Sequence, residues 1–172
     1  MGKDYRDSDE WTRTRSRFGG KMYSPDVQMA MCVYVVTGSP GSGKSYLVNQ
    51  MATKYDIIFD YDKIAEAMCP VSGLHGNHTY MKNVLLSIRD TVIRCFADRV
   101  GEWHNAFFIT ATPNRNEIEV LVKRMKANEL HVDATMEECI EHIRNDETRI
   151  LKARDIELVR DYFMKTKLYE KK

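Results

Sequence analysis

Eight consecutive residues decide the fold of this chain: Gly38-Ser39-Pro40-Gly41-Ser42-Gly43-Lys44-Ser45. They match the pattern G-x-x-x-x-G-K-[ST] in full, in which glycines let the backbone turn successive N–H groups toward phosphate oxygens. In this pattern the lysine reaches the terminal phosphates and the following hydroxyl can bind Mg²⁺. All eight residues are therefore candidates for a nucleotide-binding loop, and Ser45 is also a candidate metal ligand.

The residues on either side of this loop have the patterns that such a loop requires. Upstream, residues 29–36 read MAMCVYVV, a nearly continuous apolar run typical of a strand buried on both faces of a parallel sheet. Downstream, residues 43–54 favour a helix, with Tyr46, Leu47 and Met51 as the expected inward positions. A glycine-rich turn that matches by chance is the alternative, and the strand–loop–helix context argues against it.

Further along the chain, short apolar runs alternate with segments of helical spacing. Strands are predicted at residues 56–60, 106–111 and 130–132, and residues 69–80 are predicted to form a loop. Helices are predicted to begin near Tyr61 and to cover residues 81–101, 116–127, 135–145 and 155–166. This alternation predicts an α/β protein with the P-loop NTPase fold, a doubly wound parallel sheet of about four or five strands flanked by helices.

Composition narrows the class of protein further. The chain has 172 residues, a net charge of +1 and no apolar run near the ~20 residues that span a bilayer. Its 4 cysteines are widely spaced and form no C-x-x-C pair, which favours reduced thiols over disulfides or zinc ligands. These features favour a cytoplasmic protein, in a host cytoplasm if the chain is encoded by a phage, with no role at a membrane.

Residues 1–25 differ in composition from the rest and are predicted to form a polar, basic, flexible N-terminal arm before a domain over residues 26–172. In the arm, Arg13, Arg15 and Arg17 alternate with other residues, so an extended chain would project three guanidinium groups on one side. Such a row could contact the phosphates of a nucleic acid. A solvated tail without a binding role is the alternative.

Two aspartates follow the second predicted strand. Asp60 is expected at the carboxyl end of that strand, beside the glycine-rich loop, where ligands bind in open α/β sheets. A carboxylate there can hold a magnesium-bound water or accept the proton of an attacking hydroxyl, and Asp62 lies two residues further on. The alternative is that either residue only caps the next helix. The third predicted strand ends in Thr110-Ala111-Thr112-Pro113 without a carboxylate, which weakens a motor-type ATPase interpretation.

The loop GSPGSGKS, followed by a strand that ends in Asp-x-Asp, resembles the small P-loop kinases, including the shikimate and gluconate kinases and the kinase domain of bacteriophage polynucleotide kinases. Residues 35–44 and the segments IIFDYDKIAEAM and CIEHIRNDETR also resemble small phage-encoded ATP-binding proteins. The resemblance covers roughly residues 30–163. It implies ATP and Mg²⁺ as ligands, with Asp60 near the metal and Asp62 as the base that faces the acceptor.

The resemblance also implies an arginine-bearing lid over the transferring phosphate. Similar sequences often have arginine where this chain has His142, followed by an arginine that matches Arg149, and Arg144 can substitute for the missing one. Lys44, Asp62, Arg149 and Arg144 are therefore the candidate catalytic residues. The alternative is that Arg144, Arg149 and Arg154 are only solvated helix residues.

These observations favour an ATP-dependent phosphotransferase that moves the γ-phosphate to a hydroxyl or phosphate on a nucleoside, a nucleotide or a nucleic-acid end. Two other functions stay open: a small P-loop ATPase that acts through a protein partner, and a nucleotide-stabilised DNA-packaging or interaction module that uses the arm. The sequence does not identify the acceptor, because acceptor recognition depends on a few side chains in variable loops.

Overall fold

A computed structural model of the chain describes residues 31–69 and 79–169. The predicted arm, residues 1–25, and most of the predicted loop at residues 69–80 lie outside the described residues. No helix among the described residues is both long and apolar enough to cross a bilayer.

The described residues contain a single four-stranded sheet in which all neighbouring strands are parallel. Its strands are β1 (Cys32–Thr37), β2 (Ile57–Asp60), β3 (Asn105–Ile109) and β4 (Asn128–His131). Their spatial order is β2-β3-β1-β4, so the chain crosses over between strands instead of pairing them in sequence. The predicted α/β class with a parallel sheet is confirmed.

Six α-helices connect or follow these strands in the described part of the chain. They are α1 (Lys44–Met51), α2 (Tyr61–Met68), α3 (Lys82–Ala97), α4 (Arg115–Met125), α5 (Met136–Asn145) and α6 (Lys152–Tyr169). Thr135 and Glu138 form a capping box at the start of α5, where each residue satisfies a backbone N–H of the other. Helices α5 and α6 pack on each other through Cys139, Ile143 and Val159.

The core has two layers because successive side chains of a strand point to opposite faces of the sheet. On one face, Val33, Val35 and Phe108 join a cluster with side chains of α3 and α4. On the other face, Val36 and Phe107 pack with Val48 of α1 and with Ile109. Helices therefore cover both faces of the sheet, as expected for a doubly wound fold.

The structure corrects one expected core position. Tyr46, predicted to point inward, is 72% exposed, whereas Val48 is completely buried. The reason is that Lys44 already points into the loop, and the residue one helical turn later lies on the same face of α1. Some element boundaries also move by a few residues, for example at α6, which begins at Lys152.

The register of the strands determines where the candidate functional site lies. Asp60 at the end of β2 pairs with Ile109 at the end of β3, and Ile109 pairs in turn with Val36 of β1. The carboxyl ends of three adjacent strands therefore lie along one edge of the sheet. The glycine-rich loop leaves β1 at this edge, next to Asp60.

Candidate functional site

The glycine-rich loop has a backbone conformation that side chains would disturb. Gly38, Gly41 and Gly43 have φ angles of 144°, 78° and 89°. A Cβ atom on Gly38 would lie 2.7 Å from the carbonyl oxygen of Val132, and one on Gly41 would lie 2.7 Å from that of Cys139. Space is open around Gly43, the N-cap of α1, and no side chain caps this helix. The first N–H groups of α1 are therefore left to an anionic ligand.

Lys44 is folded back onto the loop that precedes it. Its Nζ donates to the carbonyl oxygens of Gly38, at 3.0 Å, and Ser39, at 2.6 Å, and the residue is only 7% exposed. Burial lowers the pKa of Lys44 from its usual 10.5 to about 8, against the opposing effect of the Asp60 carboxylate. The ammonium group is therefore held in the loop by carbonyl dipoles, in a place where an anion would stabilise its charge.

Ser42 carries an unsatisfied polar group in the same loop. Within the described residues its hydroxyl oxygen is buried and has no hydrogen-bond partner. A buried hydroxyl without a partner is costly, so a ligand oxygen at the loop would satisfy it. Together with the open helix start, this group fits a phosphate-binding role for the loop.

Ser45 and Asp60 meet at the base of the loop. The hydroxyl of Ser45 donates to Oδ2 of Asp60 at 2.7 Å, and the other carboxylate oxygen accepts from the backbone N–H groups of Asp62, at 3.1 Å, and Lys63, at 3.5 Å. Asp60 thus caps α2 and also accepts a hydrogen bond from Ser45 of the loop. Its role as a metal ligand stays a prediction. A hydroxyl and a carboxylate fit Mg²⁺, which takes few protein ligands and completes its shell with water and phosphate oxygens.

The described part of the chain contains no cluster of three or more histidine, cysteine or carboxylate side chains with the arrangement of a metal site. The Ser45–Asp60 pair stays the candidate position for Mg²⁺.

The loop forms one wall of a cleft with a volume of about 1010 Å³. Asp62 also lines this cleft, together with Arg89 of α3, Phe108 of β3 and Thr110 directly after β3. The opposite wall comes from the last two helices and the turn between them. Its lining residues are His142, Ile143, Asp146, Arg149, Asp155, Leu158, Asp161, Tyr162 and Lys165.

The candidate lid residues take different positions in this structure. Arg149 lines the cleft, and its positive charge contributes to lowering the pKa of Lys44. His142 also lines it, and its Nδ1 donates to the carbonyl oxygen of Gly41 at 2.9 Å. Arg144 is exposed, and neither it nor Arg154 is among the lining residues. The catalytic assignments of Arg149 and Arg144 stay predictions.

Sequence reasoning missed two parts of the site. One is Arg89 of α3, which lies 5.7 Å from the centre of the Phe108 ring and pairs with Glu117 at 3.1 Å. The other is the face of α6 that lines the cleft. Asp155, Leu158, Tyr162 and Lys165 recur at helical spacing, a signal that places them on one face without saying what the face contacts.

Comparison with known proteins leaves the sequence family open but identifies the fold. No protein-family model matches the chain, and no curated protein matches it. A chain in the structure of the Pnkp1/Rnl/Hen1 RNA repair complex is similar to it, with a TM-score of 0.59 and 15% identity, over 86% of this chain and 47% of that one. Shikimate kinase from Acinetobacter baumannii, in complex with shikimate, is similar with a TM-score of 0.51 and 13% identity, over 83% and 80%.

These similarities confirm the expected fold, the P-loop NTPase fold with a parallel sheet flanked by helices. This chain spans about half the length of the RNA repair chain, so the similarity concerns one part of that protein. The resemblance to phage-encoded ATP-binding proteins stays a prediction.

Proposed function

We propose that this protein is an ATP-dependent phosphotransferase that uses Mg²⁺. The observation that carries the proposal is the group formed by Lys44, Ser45 and Asp60. The ammonium group lies in the loop and the hydroxyl–carboxylate contact of 2.7 Å lies at its base. This group combines a phosphate cradle with a magnesium position at one end of a large cleft.

Each side chain has a role that follows from its place. The loop and Lys44 would bind the triphosphate, and Ser45 and Asp60 would hold Mg²⁺, which neutralises charge on the phosphate oxygens. Asp62 lines the cleft next to this group and would orient the acceptor hydroxyl and take its proton. Arg149 on the opposite wall would stabilise the charge that develops on the transferred phosphate. Arg144 would join it only by turning into the cleft.

The cleft itself supports a kinase over an ATPase. An acceptor needs room beyond the phosphate loop, and Leu86, Arg89 and Phe108 line such a region. Strand β3 is followed by Thr110-Ala111-Thr112 at this edge, without the carboxylate that motor ATPases usually carry. A slow ATPase that acts through a protein partner is the second candidate function, because the loop geometry serves hydrolysis and transfer equally.

The acceptor would be a hydroxyl or phosphate on a nucleoside, a nucleotide or a nucleic-acid end. Two similar structures make this range reasonable, since one is a kinase in complex with the small molecule shikimate and the other belongs to an RNA repair complex. The cationic side chains Lys63 and Arg89 along the cleft suit an acceptor that carries negative charge.

An acceptor screen tests the proposal. ATP turnover is measured with Mg²⁺ and with nucleosides, nucleotides, 5′-hydroxyl oligonucleotides and small hydroxy acids, and Lys44→Ala is the control for contaminating activity. A rise of about tenfold or more with one acceptor, together with labelled product, supports the kinase. Slow turnover that no acceptor changes supports the ATPase, and no turnover beyond that of Lys44→Ala contradicts both.

The arm gives a separate test of a nucleic-acid acceptor. The full chain is compared with a shortened chain that begins at Ser24 for binding of single-stranded DNA between about 50 and 200 mM salt. Three contacts from Arg13, Arg15 and Arg17 predict a loss of about two units of salt slope on shortening, at about 0.7 per contact. Equal affinities and slopes would remove the arm from the function.

A further inference from the structure

Arg149 is bound by two carboxylates that come from different elements. Its Nε donates to Oδ2 of Asp146, at the end of α5, at 3.0 Å. Its Nη1 donates to Oδ2 of Asp155, in the first turn of α6, at 2.9 Å. Within the described residues, the remaining nitrogen, Nη2, forms no hydrogen bond. The guanidinium group is thus fixed along one side and keeps donor capacity on the other.

The two carboxylates differ in burial and in their other partners. The Asp146 side chain is 35% exposed and also accepts from the N–H and the hydroxyl of Thr148. The hydrogen bond from that hydroxyl is the main reason why the pKa of Asp146 is lowered. Asp155 is only 3% exposed, and Arg149 is its ion-pair partner. A buried carboxylate depends strongly on such a partner, so the contact with Asp155 holds Arg149 more firmly than the exposed one.

The direction in which Arg149 is held matters because of Lys44. Lys44 and Arg149 both line the cleft, so their two positive charges act on the same space. Like charges repel, and an anion between them would turn this repulsion into two attractions. A terminal phosphate bound at the loop would supply that anion.

We propose that Asp155 is a positioning residue that holds Arg149 toward the terminal phosphate of a nucleotide bound at Lys44. The inference deepens the proposed function and rests on it. Asp155 touches neither nucleotide nor acceptor in this account and acts only through the guanidinium group. Arg149 therefore favours binding of a triphosphate over a diphosphate, and the contact with Asp155 determines the size of this preference.

Calorimetry with ATP and ADP in the presence of Mg²⁺ tests this role without requiring turnover. For Asp155→Asn we expect the preference for ATP over ADP to fall about tenfold, the effect of weakening one charge-assisted contact, while ADP affinity stays unchanged. Asp146→Asn is the matched control, because it removes the exposed carboxylate on the same guanidinium, and it should change the preference less than threefold. In an Arg149→Ala background, Asp155→Asn should add nothing.

The outcomes separate this inference from the proposed function. An unchanged ATP preference in Asp155→Asn, or an equal loss in Asp146→Asn, overturns the positioning role and leaves the phosphotransferase intact. If the parent chain binds neither ATP nor ADP, both this inference and the proposed function are overturned. If Asp155→Asn fails to bind ADP because it misfolds, Arg149→Lys replaces it as the test. That variant keeps the charge but cannot contact both carboxylates in the same way, and an unchanged preference there overturns the inference.

Discussion

The two walls of the cleft hold their cations in different ways. On the loop wall, Lys44 is bound by backbone carbonyl groups of Gly38 and Ser39, a few residues away in the sequence. On the opposite wall, Arg149 is bound by carboxylates at the end of α5 and the start of α6. Burial lowers the pKa of Lys44, and the carbonyl groups carry no net charge that would compensate it, whereas carboxylates compensate the arginine directly.

This difference shows how much of a site a local pattern can specify. The loop wall depends on backbone angles and on contacts between near neighbours, so a short motif determines it. The opposite wall depends on how α5 and α6 pack, through Cys139, Ile143 and Val159, against each other. The following predictions test whether the two walls act on the same phosphate, and they run from the largest expected effect to the smallest.

The largest effect is expected from Arg149→Ala. Removing a group that stabilises charge in the transition state should lower kcat for phosphate transfer by about 10³-fold. Steady-state kinetics with the acceptor found in the screen measures it. Arg144→Ala is the comparison, since Arg144 is exposed and does not line the cleft. A loss of similar size there would show that Arg144 turns inward when substrates bind.

The variants Asp62→Asn and Asp60→Asn should affect different steps of the reaction. Asp62→Asn removes the proposed base and should lower transfer by at least about 10²-fold with ATP affinity nearly unchanged. Asp60→Asn should mainly raise the Mg²⁺ concentration needed for half-maximal rate, because the Ser45 contact loses its charge. Magnesium titrations of both variants measure this. If both variants transfer phosphate at the full rate at low Mg²⁺, the two aspartates serve only to cap a helix.

Lys44→Ala should weaken ATP binding by about 10- to 100-fold. The variant loses a charge-assisted contact with the phosphates, worth roughly 1.5–3 kcal/mol. Isothermal calorimetry measures the change. Lys54→Ala serves as the control, because Lys54 is an exposed lysine that does not line the cleft. ATP binding by Lys44→Ala as tight as that of the parent chain would contradict the assignment of the loop.

The smallest effect is a pH dependence that arises from Lys44. Its pKa of about 8 in the free protein means that the phosphate-binding cation is lost as pH rises through 8. ATP affinity should therefore fall by up to about tenfold between about pH 7 and 9, as measured by calorimetry at each pH. Lys44→Ala should show no such fall, and an equal fall in that variant would assign the titration to another group.

The stability of the protein without nucleotide should move in the opposite direction. The unfolded chain keeps Lys44 protonated up to its usual pKa of 10.5, whereas the folded chain releases the proton near 8. Between these values the unfolded state binds more protons, so the contribution of Lys44 to the free energy of unfolding rises with pH. The difference between the parent chain and Lys44→Met in urea unfolding at pH 7 and 9 measures this contribution.

Much of the fold could be predicted from the sequence because its signals are local. The apolar runs, the glycine-rich loop and the helical spacings predicted a parallel sheet of about four or five strands with helices on both faces. The direction of side chains was harder to predict from the sequence, as the exposed Tyr46 and the buried Val48 show. Apolar character within a short helix does not reveal which face meets the sheet when Lys44 is itself buried in the loop.

The sequence by itself determined the loop, its lysine and the two aspartates at the end of β2 and two residues later, because each depends on residues close together in the chain. Only the tertiary structure decided that Asp60 meets Ser45 while capping a helix, and that Arg149 lines the cleft while Arg144 does not. It also brought Asp155 and the α6 face to the site. The physical reason is that strand register and helix packing bring together residues far apart in sequence, and no short pattern encodes those contacts.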